Sequence, residues 1–106
     1  MVKLFDGSHC IPRSHYENYE NSVLIIRAEL LKESHRTAEN QLFFARGGFG
    51  CSPTARGRAV MGQFLIDGEE AWFAREDFVG IMDENHLPEW AHEKLQEQDC
   101  GMKMSG

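Results

Sequence analysis

Arg58–Arg75, RAVMGQFLIDGEEAWFAR, places two alternating apolar runs on either side of Asp67-Gly68. Asp-Gly between such runs is a strong hairpin signal, because both residue types accept the positive φ that tight hairpin turns need. The segment therefore predicts one strand from Arg58 to Ile66 and another from Glu69 to Arg75. Working outward on the amino-terminal side, Gln41–Arg46 (QLFFAR) reads as a strand. Gly47, Gly48 and Gly50 break it, and a loop carrying Pro53 follows to about Gly57. Further back, Ser22–Leu31 (SVLIIRAELL) reads as a strand with Leu24, Ile26, Ala28 and Leu30 on one face and Arg27 and Glu29 on the other. The polar KESHRTAENQ between these two strands reads as a loop. Only a short strand near Val2–Phe5 is expected in the first twenty residues.

On the carboxyl-terminal side, Phe78–Met82 (FVGIM) adds a short strand beyond the Glu76-Asp77 corner. Pro88 then stands where a first helical turn tolerates proline, and PEWAHEKLQEQ continues with good helix formers. Leu87, Trp90, Ala91 and Leu95 share one face at helical spacing, with Glu89, Glu93 and Glu97 on the other. The expected fold class is α+β. It is a small antiparallel β-meander of four to five strands with a C-terminal amphipathic helix packed on the sheet, and residues 1–106 form one domain.

Composition supports a folded chain: 42% apolar, 26% charged, with seven Phe and two Trp. The opening MVKLFDGSHC lacks the apolar run of a signal peptide, and no stretch has the length of a membrane span, so a cytoplasmic location and no membrane partner are expected. The net charge of −6 argues against general affinity for nucleic-acid backbones or anionic membranes. Its distribution is uneven. From Asp83 to Asp99, Asp83, Glu84, Glu89, Glu93, Glu97 and Asp99 stand against Lys94 alone, while Gln41–Leu65 holds Arg46, Arg56 and Arg58 and no acid.

Cys10, Cys51 and Cys100 are odd in number and widely spaced, which leaves reduced thiols or metal ligation in place of a disulfide framework. With His9 or His15 they would complete a Cys₃His structural zinc site tying both chain ends to the central loop. Three unrelated thiols are the alternative, and the close CxxC pairing of strong zinc motifs is absent. The loop GGFGCSPTARGR invites a phosphate-cradle reading but matches neither a Walker loop nor a dinucleotide fingerprint. Carboxylates are plentiful, yet none stands beside a nucleophile or histidine at a catalytic spacing, so an enzyme is not expected. The acids Asp83, Glu84, Glu89, Glu93 and Glu97 are the candidate contacts to a basic partner surface. A second reading uses Arg46, Arg56 and Arg58 with Phe49 as a stacking surface for nucleic acid.

The segments RAELLK (27–32), PTARGRAV (53–60), DGE (67–69) and LPEWAHEKL (87–95) resemble those of small accessory proteins carried by phages and conjugative elements of Gram-positive bacteria. Anti-CRISPR inhibitors belong among such proteins. The resemblance implies a non-enzymatic inhibitor in a bacterial host cell that binds a Cas9-type effector and blocks target DNA access. It transfers no catalytic residue; a small nucleic-acid-binding module of a mobile element is the alternative, and the exposed edge of so small a meander leaves a monomer or weak dimer as the expected state.

Overall fold

The computed structural model describes residues 4–96. Five antiparallel strands form one sheet: β1 Val23–Ile26, β2 Leu42–Gly47, β3 Ala59–Phe64, β4 Glu70–Ala74 and β5 Phe78–Ile81. Their order across the sheet is β4-β3-β2-β1-β5, so a four-stranded meander is completed by a fifth strand at the far edge. Residues 89–96 form the described part of the C-terminal helix. The α+β architecture expected from the sequence is the one found.

The strand order forces the sheet to curl. A flat array of five strands would separate its outer strands by about 19 Å, at roughly 4.8 Å per step. The chain leaves β4 at Ala74 and enters β5 at Phe78 through a single 3-10 turn, Arg75–Asp77, and those four Cα steps reach about 14 Å at most. Inside the curl the rings of Phe43 (β2), Phe73 (β4) and Phe78 (β5) meet with centroids 5.4 to 5.7 Å apart. Tyr19, Leu24, Ile26, Ala45, Cys51 and Val60 complete this inner core.

The outer face is covered over β1, β2 and β5. Val23, Ile25 and Leu42 pack there with Met82 and the fully buried Ala91, joined by Leu87, Trp90 and Leu95. The helix thus buries the face its spacing predicted. All four residues of β1 are buried, because it lies mid-sheet between these two cores.

Several boundaries differ from expectation. β1 stops at Ile26, and Ala28–Leu30 forms a 3-10 turn, so the alternation read through Leu30 ends early. The expected loop after it contains a 3-10 turn at Glu33–His35 and a short α-helix, α1, Ala38–Gln41. Gln41 is wholly buried; its side-chain amide donates to the Phe5 and Ile26 carbonyls, and its oxygen accepts from the Phe5 N–H. The hairpin forms at Asp67-Gly68, but through a wider turn running from Leu65 to Glu69, with φ +75° at Gly68. The expected strand at Val2–Phe5 lies partly outside the described residues, and positions 4–6 are not extended into a strand. Instead Cys10 bridges Met82 and the Ile11 N–H donates to the Ile81 carbonyl, so this segment runs along the outer edge of β5. That covers one sheet edge in the way edge strands are commonly protected.

Candidate functional site

The glycine-rich loop is organised by a residue the sequence reading treated as the end of a strand. Arg75 is only 7% exposed, and its guanidinium donates to the carbonyls of Gly50, Cys51 and Glu17 at 2.7 to 2.9 Å. It also lies over the Tyr19 ring at 3.8 Å from the centroid, a cation–π contact inside the fold. The loop's own N–H groups are engaged as well: Cys51 donates to Gly48 and Ser52 to Phe49 in a 3-10 turn. Gly48, at φ +109°, allows the loop backbone to lie against the Ala59 carbonyl, where a Cβ would collide. This geometry fits a loop locked to the sheet. Arg58 pairs with Glu76 at 2.9 Å, and a backbone hydrogen bond, followed by the hydrogen bond from Arg58, holds the Glu76 carboxyl below the usual range.

The two described thiols lie in different cores. Cys51 is buried in the inner core and donates to the Gly47 carbonyl at 3.3 Å; Cys10 packs against the outer one. Both are free, and burial pushes both thiols up. His9 is bound locally: its Nδ1 accepts from the Asp6 N–H at 3.0 Å, and its ring meets Phe5 and His86 edge-on at 5.1 Å. Among the described residues no group of three or more His, Cys, Asp and Glu is placed to hold a metal. Cys100 lies outside the described residues, as does the side chain of His15, so the proposed Cys₃His set is not assembled from the part of it that is described.

Of the acids singled out, Glu84, Glu89 and Glu93 are exposed. Asp83 is half-buried, and its carboxylate caps the Glu84–His86 turn by accepting from the Asn85 N–H at 2.9 Å, a structural task. Glu97 lies outside the described residues.

An exposed apolar pair lies elsewhere, on the outer face of β3 and β4. Met61 and Trp72 are cross-strand partners, 53% and 67% exposed. With Arg46, Gln63 and Glu70 they line an open groove of about 470 Å³. Arg46 lies over the Phe44 ring at 5.6 Å, at the border with the helix-covered half. Sequence reasoning passed over this face, although the alternation of β3 and β4 around Asp67-Gly68 already set Met61 and Trp72 on one side. Phe49, the proposed stacking residue, is 77% exposed in the loop.

No family model, curated protein or solved structure matches the chain. The strand order and the single 3-10 turn between the outer strands describe a curled five-stranded sheet, and an architecture alone does not fix a function. Function must therefore be argued from surface chemistry. Among the described residues no helix is long and apolar enough to cross a membrane.

Proposed function

We propose that the protein is a non-catalytic binding protein that presents its C-terminal helix to a basic surface of another protein. The observation that supports this reading is the helix itself. Its apolar side is fixed to the sheet through Ala91, Leu87, Trp90 and Leu95, so Glu89 and Glu93 are held outward on a rigid support with Glu84 exposed in the preceding turn. Carboxylates held in this way lose little conformational freedom on meeting lysines and arginines, and complementary charge speeds encounter and fixes register. The finer reading, inhibition of a Cas9-type effector at its DNA-binding surface, rests on the resemblance to mobile-element accessory proteins. In that reading the effector is occupied directly and nucleic acid is not bound.

The test is inhibition of target cleavage by a purified Cas9-type effector, with and without Glu89→Lys, Glu93→Lys and Glu97→Lys combined. Inhibition by the native chain, weakened roughly tenfold or more in the variant at unchanged denaturation midpoint, supports the reading. No inhibition by the native chain rejects the effector, and unchanged inhibition by the variant rejects the helix as the contact. A gel shift with single- and double-stranded nucleic acid at low salt addresses the alternative: a retarded band abolished by Arg56→Ala and Phe49→Ala would favour the nucleic-acid module.

A further inference from the structure

The two edges of the sheet differ. Along β5 runs the N-terminal segment, through the Cys10–Met82 bridge and the Ile11 N–H bonded to the Ile81 carbonyl. β4 lies at the other edge, with β3 as its one strand partner among the described residues. The ladder with β3 fixes which way its peptide groups point. The Phe64 N–H donates to the Glu69 carbonyl and the Arg75 N–H to the Arg58 carbonyl, so the positions bonded to β3 are Glu69, Ala71, Phe73 and Arg75. Glu70, Trp72 and Ala74 therefore direct their N–H and C=O groups to the open side. There the Asp77 carboxylate accepts from the Ala74 N–H at 2.9 Å. Among the described residues nothing bonds the peptide groups of Glu70 and Trp72 on that side, and both residues are exposed. β4 has no proline, no lysine and no register shift against β3, the devices that commonly blunt an edge.

We propose that a second copy of this chain pairs with this edge, β4 antiparallel to β4, with the two-fold axis at Trp72. That register sets Trp72 opposite Trp72 of the second copy, and Glu70 opposite Ala74 of the second copy. Each Trp72 N–H then donates to the other Trp72 carbonyl, and each Glu70 N–H to the other Ala74 carbonyl, while the Ala74 N–H stays with Asp77. The side chains argue for the same register. Trp72 shares the outer face with its cross-strand partner Met61, and the two are 67% and 53% exposed. The two-fold joins this pair to its equivalent in one apolar stripe across the seam. Glu70 is the one charged residue of β4, and this register keeps the two copies of it four residues apart, about 13 Å. Pairing Glu70 on Glu70 would oppose like charges directly. An unrelated extended peptide would have to bring its own aromatic side chain to cover Trp72, whereas the second copy brings it by the same rotation that closes the ladder. This inference is independent of the helix acids, since the helix packs over β1, β2 and β5.

Sedimentation velocity of the full chain from micromolar to near-millimolar concentration measures the association, and amide hydrogen exchange at the two ends of that range locates it. The native chain should show a concentration-dependent monomer–dimer equilibrium. The amides of Glu70 and Trp72 should exchange fast when dilute and slow by roughly tenfold or more when concentrated, as they enter a ladder. Trp72→Lys removes the ring and opposes two ammonium groups, and should weaken association by roughly tenfold or more at an unchanged denaturation midpoint. Ala74→Arg, facing Glu70 of the second copy, should strengthen it by roughly threefold. If Trp72→Lys loses its fold, Ala74→Arg and the exchange of the native chain decide. A chain that stays monomeric throughout overturns the proposal. So does a dimer in which the Glu70 and Trp72 amides exchange as fast as in the monomer, or one whose strength Ala74→Arg leaves unchanged.

Discussion

Arg75 shows how one side chain can decide a loop. Arginine is rarely buried, and nothing in EEAWFARED marks position 75 as different from an exposed strand end. Its role becomes visible only when the curl of the sheet brings Glu17, Gly50 and Cys51 to the same guanidinium. Removing it leaves three carbonyls short of a donor and the Tyr19 ring without its cation. Arg75→Met should lower stability by about 3 kcal/mol, measured as a fall in the urea midpoint. Arg75→Lys should fall between the two, because one ammonium cannot reproduce the planar fork. At the same scale, burial raises both described thiols, and Cys51, only 3% exposed, should react with an aromatic disulfide reagent only as fast as the fold opens, more slowly than the partly buried Cys10. A burst of labelling in the native state, assigned to Cys51 by mass spectrometry, would contradict the packing described for it.

Among the elements, the C-terminal helix and the central hairpin were the most legible, for a common reason. Each is encoded by a local pattern, and the helix's spacing of Leu87, Trp90, Ala91 and Leu95 holds whatever the rest of the chain does. The buried position of Ala91 makes a direct check. Ala91→Asp places a carboxylate in an apolar contact and should cost roughly 3 kcal/mol, whereas Glu89→Gln should change stability by less than about 0.5 kcal/mol, both by chemical denaturation. Elements set by tertiary contacts were not legible. β1 ends at Ile26 because Arg27 leaves the ladder, its N–H donating to the Asp77 carbonyl and its side chain to the Glu76 carbonyl, and neither partner is visible in SVLIIRAELL. The helix at Ala38–Gln41 is tied down by Gln41 bonds to Phe5 and Ile26, again across long stretches of sequence. The candidate site divided in the same way. Exposure of Glu89 and Glu93 follows from helical period, while the bare Met61–Trp72 face depends on knowing which half of the sheet the helix leaves open.

For the molecule as a whole, the ionisable groups that folding perturbs bracket the pH range in which it is stable. On the acid side, hydrogen bonds from Ser8 hold Asp6 below its ordinary value, and the backbone and Arg58 do the same for Glu76. Their contributions are present above the ordinary carboxylate range and are lost as pH falls through the lowered values, but both groups are exposed and the effect is small. On the alkaline side, Cys10, Cys51 and Tyr19 are all raised, burial being the largest cause in each. A raised acid stays neutral in the fold while the unfolded chain ionises at its ordinary value, 9.0 for the thiols and 10.0 for the phenol, so the unfolded state gains first. Stability should therefore be nearly level between about pH 6 and 8 and then decline as pH rises past the thiol value. Replacing Cys10 and Cys51 with alanine should remove the earlier part of the decline and leave the part that belongs to Tyr19, although the midpoint at neutral pH will drop with the lost packing. Urea midpoints measured across that range for both chains decide the matter: parallel curves would mean that the two thiols are as well solvated in the fold as in the open chain.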